Sequence, residues 1–141
     1  MNLGIGYNKS NSDIHIPQIP DYLIRHFIRG YFDGDGSISI RLSQEKGKSD
    51  RVRGWFSICS KSPIILNEFL NFFAKNGISI NMSYVKRDDM YRITTSSRKK
   101  LIDLFNLFYK DSNFYLERKF NKFNHYVNTE VTQLIKEYRN A

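Results

Sequence analysis

The chain has 141 residues, 40% hydrophobic and 15% aromatic, which is enough apolar material for one cored domain and excludes a wholly disordered chain. No apolar run approaches the roughly 20 residues of a membrane span, and the N-terminus lacks the pattern of a secretory signal, so an intracellular, non-secreted protein with no membrane role is the expectation. One cysteine, Cys59, and three scattered histidines (His15, His26, His125) exclude an internal disulfide and a multi-cysteine zinc site, and offer no metal-ligand spacing. A net charge of +8 and a pI of 9.6 point to a polyanionic partner. The charge is localised: the windows 37–61 and 84–100 are each net +4 and together hold the whole excess.

Residues 1–20 are polar and irregular, with Gly4, Gly6, Pro17 and Pro20. They read as an N-terminal arm or linker, not a packed element, and the start, Met1 to Gly6, shows no fold of its own. Residues 21–141 read as the domain. Asp21 is placed to cap a helix running to about Phe32, because Leu23, Ile24, Phe27, Ile28, Tyr31 and Phe32 recur at helical spacing; Gly34 and Gly36 should stop it.

Two strand-like runs follow. Ser37 to Leu42 alternates cleanly, with Ile38, Ile40 and Leu42 on one face; Val52 to Ile58 is less regular. A long charged connection joins them. Ser62-Pro63 then gives an N-cap with proline at the first helical position, and Asn76-Gly77 ends that helix. The pattern repeats: a strand from Ile78 to Val85, a charged turn at Arg87-Asp88-Asp89, a strand from Met90 to Thr95, and a helix capped by Ser96 or Ser97. Leu116, Phe120, Phe123 and Val127 mark another helix, and Val131, Leu134, Ile135 and Tyr138 a last one. Helices alternating with strands in hairpins predict an α+β domain: an antiparallel sheet with helices on one face.

The opposite face of that sheet should be polar. Ser37, Ser39 and Arg41 lie there on the first strand, and Arg53, Trp55 and Ser57 on the second. Asn81, Ser83, Arg92 and Thr94 continue it on the last two strands. Lys46, Lys48, Arg51 and Lys61 flank the first hairpin, and Lys86 and Arg87 sit in the second turn. A sheet or β-ribbon of this kind can enter a DNA major groove, where such side chains meet base edges and phosphates. The alternative is a merely solvated face, the commoner case; the localised charge brings the two readings level. The aromatic residues at helical spacing read as core, leaving Trp55 as the aromatic candidate on the binding face.

The segment Ile28-Arg29-Gly30-Tyr31-Phe32-Asp33-Gly34-Asp35-Gly36 resembles, position by position, the signature nonapeptide of LAGLIDADG homing endonucleases. Both glycines at positions three and nine, both aspartates, and the apolar residues at positions one and five are in place. Arg29 departs from the usual small residue, and Tyr31 is bulkier than the usual leucine. A calcium-loop reading of Asp-Gly-Asp-Gly fails because residues 37–44 supply no carboxylate.

The resemblance implies the family's fold, αββαββα with an antiparallel DNA-binding sheet, and a site-specific double-strand DNA endonuclease of an intron, intein or phage genome. It implies that two motif helices pair through Phe27, Gly30, Tyr31 and Gly34. It makes Asp35 the metal-ligating acid, with the backbone carbonyl of Gly34 beside it, holding Mg²⁺ (Mn²⁺ can substitute). Asp33 braces the helix end. Lys119 matches the lysine that assists the chemistry, and Ser60 falls where the family's other active-site polar residue lies, with Lys61 beside it. A single motif supplies one Asp35, so the chain should form a homodimer or pair with a second half. Residues 14–20 resemble the linker that precedes the second motif of two-motif members, which keeps a half-enzyme open. A non-catalytic DNA binder and a maturase binding intron RNA are the other readings; DNA-binding regulators of this fold generally lose the acid that Asp35 retains.

Overall fold

A computed structural model describes residues 13–141, and the expectation for Met1 to Gly6 lies outside the described residues. The order is helix α1 (Asp21–Asp35), strands β1 (Gly36–Ser43) and β2 (Arg51–Ser60), helix α2 (Pro63–Lys75), strands β3 (Met82–Val85) and β4 (Met90–Thr95), then helices α3 (Arg98–Tyr109), α4 (Glu117–Asn128) and α5 (Val131–Arg139). The strands form one antiparallel sheet in the order β1-β2-β4-β3. The expected α+β architecture is what is found.

Period-two alternation makes the sheet two-faced. Ile38, Phe56, Ile58 and Ile93 are buried against the helices. The irregularity of β2 has a cause: Gly54 stands where the alternation calls for an apolar side chain, and a Cβ there would meet the Tyr126 ring of α4 at 3.0 Å. The glycine lets α4 close on the sheet. Phe32, at position five of the motif, sits at the centre of the core, its ring 5.1 Å from Phe56, 5.5 Å from Phe108 and 6.1 Å from Phe123. Full burial of a phenylalanine contributes about 1.5–3 kcal/mol, so this residue ties α1 to the sheet, α3 and α4 at once.

Several local expectations hold. The Ser62 hydroxyl caps α2 through Ile65 N–H, and the Ser97 hydroxyl caps α3 through Lys100 N–H. Asn76 closes α2, with Gly77 at φ +80° where a left-handed turn favours glycine.

Other expectations need correction. Helix α1 does not stop near Phe32 but continues through Gly34 to Asp35, because Gly36 N–H still reaches the Phe32 carbonyl. Its N-cap is Pro20, with no side-chain cap, and Asp21 lies inside the first turn. Strand β3 begins at Met82, not Ile78. Pairing with β4 ends at Met82 opposite Ile93, while β4 itself runs on to Thr95 beside β2. Ile78 and Ile80 are nonetheless buried.

Residues 14–16 are packed, contrary to a free arm. The Ser62 hydroxyl donates to the Ile14 carbonyl at 2.8 Å, and Ile16 N–H donates to Glu68 at 2.8 Å. Ile14 and Ile16 both rest on the core. No helix among the described residues is long and apolar enough to cross a membrane.

Arg29 explains its own departure from the small residue expected at motif position two. It is 7% exposed, and its guanidinium donates to the Phe108 carbonyl at 3.0 Å and the Ser112 hydroxyl at 2.6 Å. Arg25, one turn earlier, donates to the Lys110 carbonyl at 2.7 Å. Two cations thus meet the carbonyl end of α3, where the helix dipole favours positive charge. Burial first, then Arg29 and Arg25, holds His26 below the usual imidazole value, so its Nδ1 is free to accept from Arg29 at 2.7 Å. Replacing Arg29 by Met should lower unfolding stability by about 2–3 kcal/mol, the scale of lost hydrogen bonds to a charged group. Chemical denaturation measures this, and a loss under about 0.5 kcal/mol would mean the clamp carries no weight.

Candidate nucleic-acid interface and metal centre

The sheet face opposite the helices brings the expected polar residues together. In the β1–β2 ladder Ser37 pairs with Ser57, Ser39 with Trp55, and Arg41 with Arg53. Across β2–β4, Ser57 pairs with Thr94 and Cys59 with Arg92, and Arg92 pairs onward with Ser83. Asn81 precedes β3 and is exposed. Lys46, Lys48, Arg51, Lys61, Lys86 and Arg87 are all exposed at the ends of this face.

The face is organised around Trp55. The Arg41 and Arg53 guanidinium carbons lie 5.4 and 5.2 Å from its ring centroid. Two like charges directly opposite one another on a sheet repel; the indole face attracts both and offsets that cost. Arg53 is held further by donation to the Ser96 hydroxyl at 3.2 Å. Arg41 has an exposed side chain on the open face and is directed at whatever lies against the sheet.

The candidate contacts are not equally free. Thr94 donates its hydroxyl to the Phe56 carbonyl at 2.8 Å, which commits that proton to the sheet. Lys48 pairs with Glu45 at 2.9 Å. The loop between β1 and β2 is also fastened: Arg139 of α5 donates to Asp50 at 2.7 Å, and this bond holds the Asp50 carboxyl below its usual value.

The motif residues lie at one end of this face. Asp35, the last residue of α1, is exposed and borders a cleft of about 390 Å³ with Ile14, Tyr31, Cys59, Ser60, Lys61 and Met90. The next residue fixes the backbone: a Cβ on Gly36 would sit 2.8 Å from the Phe32 carbonyl oxygen and clash with the Cδ1 edge of the Phe32 ring. Glycine is required there by close approach. Gly30 and Gly34 differ, because a Cβ at either meets nothing within 4 Å among the described residues. They lie on the open side of α1 with Leu23, which is 36% exposed, and the half-buried Phe27 and Tyr31 flank them.

Asp33 faces inward from the same helix end. Its Oδ2 accepts the Leu116 N–H at 2.8 Å, serving the start of α4. Lys119 of α4 reaches back to α1, donating to the carbonyls of Phe32 at 2.7 Å, Asp33 at 2.9 Å and Gly36 at 2.5 Å. Burial pushes the Lys119 ammonium below its ordinary value, opposed by the nearby Asp33. Ser60 is 5% exposed and lies on the helix side of β2; its hydroxyl oxygen accepts the Ser62 N–H at 2.9 Å.

Oxygen donors are available for a hard divalent cation: the Asp35 carboxylate and the Gly34 carbonyl, one of the last four of α1, which lack intrahelical partners. Among the described residues no group of three or more His, Cys, Asp or Glu could hold a metal alone. The donor set therefore fits such an ion once a second carboxylate joins it.

Sequence reasoning did not foresee Arg25 and Arg29 on α3, the docking of Ile14 and Ile16, or the Arg139 tie to the β1–β2 loop.

The profile of the LAGLIDADG-like domain family matches residues 23–108. No curated protein matches. Among solved structures, an archaeal intron-encoded homing endonuclease complexed with DNA superposes with a TM-score of 0.62 at 21% identity, over 77% of this chain and 69% of that one. The homing endonuclease I-CvuI in complex with the I-CreI target gives a TM-score of 0.63 at 17% identity, over 85% and 70% of the two chains. The LAGLIDADG homing endonuclease I-GzeII in complex with its DNA target gives 0.57 at 28% identity, over 74% of this chain and 35% of that chain.

Proposed function

The chain belongs to the LAGLIDADG-like domain family, and from that premise we propose that it is one subunit of a divalent-metal-dependent, site-specific double-stranded DNA endonuclease. The observation that carries this reading is the placement of Asp35. It ends a helix whose open side bears Gly30 and Gly34, and it stands at the edge of a cationic sheet face.

Two copies meeting through α1 would bring two Asp35 carboxylates together, because glycines at Gly30 and Gly34 let the backbones approach closely. Mg²⁺, or Mn²⁺ in its place, fits the two Asp35 carboxylates with the Gly34 carbonyls. When bound it would polarise the scissile phosphate and lower the pKa of an attacking water. The chain's own share is different. The sheet face grips phosphates and reads base edges through Arg41, Arg53 and their neighbours, which fixes the phosphodiester against the Asp35 end of the helix. Lys61, exposed on the same cleft, adds positive charge where the scissile phosphate would lie. A symmetric pair favours a roughly palindromic target.

A second reading, that this chain is one half of a two-motif enzyme, draws on the docked segment at Ile14 and Ile16, which resembles an interdomain linker laid along α2. The partner in that case is a different LAGLIDADG half.

Cleavage of a randomised DNA library in Mg²⁺ tests the central reading. Wild type should cut discrete sites, and Asp35→Asn should cut none while binding within about threefold of wild type, since a lost metal ligand removes chemistry rather than phosphate contacts. Equal cutting by the mutant would remove Asp35 from the reaction. Arg41→Ala should weaken binding to the selected site by about 1–3 kcal/mol; unchanged affinity and salt slope would place it off the DNA. Gly30→Ala should keep or raise the thermal midpoint of the isolated subunit, since alanine favours helix by up to about 1 kcal/mol. The same change should weaken self-association at least about tenfold by spacing the paired helices. Sedimentation equilibrium reads the second effect, and an undiminished dimer would move the interface elsewhere.

A further inference from the structure

We propose that Lys119 is a positioning residue that holds the end of α1 in the conformation presenting Asp35 and Gly34, and that it does not deliver its ammonium to the substrate. The proposal rests on the endonuclease reading above.

The argument is one of donor stoichiometry. An ammonium has three N–H donors, and Lys119 has three acceptors, the carbonyls of Phe32, Asp33 and Gly36. No proton is left for a phosphate oxygen in this arrangement. The Nζ also lies 5.2 Å from the Phe32 ring centroid, which adds a cation–π attraction to the same residue whose carbonyl it holds.

The arrangement is reciprocal. Asp33 of α1 accepts the Leu116 N–H at the start of α4, and Lys119 of α4 serves the carbonyls at the end of α1. Each helix terminus supplies what the other lacks: an anion at an N-terminus and a cation at a C-terminus. The two residues enclosed by the clamped carbonyls are Gly34 and Asp35. Helix ends fray when their carbonyls are unserved, and a magnesium-like ion tolerates little departure from its preferred geometry. Loosening this turn should therefore weaken metal binding first, raising the metal concentration needed, and leave DNA grip on the sheet intact.

The test uses the full chain with Lys119→Met, Lys119→Arg and Asp33→Asn, read in two ways. The first is hydrogen exchange of the Gly36 amide, which bonds the Phe32 carbonyl, in protein without DNA or metal. The second is the Mn²⁺ concentration for half-maximal cleavage of the site recovered from the library. Lys119→Met should speed Gly36 exchange at least about tenfold, as a local opening does. It should raise the half-saturating Mn²⁺ at least about fivefold, with cleavage at saturating Mn²⁺ returning to within about fivefold of wild type. Asp33→Asn leaves the lysine in place and should shift both readouts the same way by less. Lys119→Arg, which keeps a cation with N–H donors at this position, should restore exchange toward wild type.

Saturated cleavage down about a hundredfold with an unchanged Mn²⁺ requirement would overturn the proposal in favour of direct action on the substrate. Unchanged exchange, or faster exchange without a shifted Mn²⁺ requirement, would also overturn it. If wild type cuts no DNA, the endonuclease reading fails, and Gly36 exchange alone decides whether the clamp exists. If Lys119→Met does not fold, Asp33→Asn and Lys119→Arg carry both readouts.

Discussion

The fold depends on how α1 ends. A helix must become a strand within one residue, while its terminal carbonyls sit against the core and its final carboxylate remains in solvent. Three features meet that demand. Gly36 removes the Cβ that would strike Phe32, Lys119 satisfies the stranded carbonyls, and Asp33 ties the turn to the start of α4. Phe32 fastens the same turn from below by packing on Phe56, Phe108 and Phe123. Loss of any one would leave a polar group unserved or a ring unsupported, which costs more in a buried turn than on an open surface.

The remaining sides of α1 are divided among distinct tasks. One side enters the core through Ile28 and Phe32. A second holds the carbonyl end of α3 through Arg25 and Arg29. The third bears Gly30 and Gly34, and among the described residues nothing lies within 4 Å of where their Cβ atoms would be. The charged sheet face is elsewhere again, built from side chains of β1, β2 and β4 around Trp55. Among the described residues its cations at Arg41 and Arg53 are preorganised by the indole and by Ser96 rather than by carboxylates, so binding an anion would not first require breaking salt bridges to those residues.

Much of this was legible in the sequence because it is local. Alternation along residues 37–42 and 52–58, the Ser62-Pro63 and Ser97 caps, and the Asn76-Gly77 stop all act within a few residues, and each appears as expected. The motif named Asp35 and the open glycines for the same reason. What was illegible involves backbone acceptors far away in sequence. Arg29 meets a carbonyl 79 residues on, Lys119 one 87 residues back, and Ile16 a carboxylate 52 residues on. A carbonyl leaves no side-chain signature, so a lysine that caps a helix and a lysine that meets a phosphate look alike in the sequence. The early end assigned to α1 has a similar cause: glycine reads as a breaker, yet Gly34 is carried inside the helix by bonds to the strand and α4 beyond it.

The separation between the sheet face and the open stripe of α1 has an evolutionary consequence. On the proposed reading, the residues that would touch a target and those that would touch a partner share no member, and Arg29 fastens α1 to α3 apart from both sets. Mutations that retuned the recognised sequence could then accumulate without altering which half the chain pairs with. The converse would also hold, so that halves of different ancestry could be joined through α1 with each keeping its own specificity. A fold divided in this way lends itself to gene duplication and recombination of its halves.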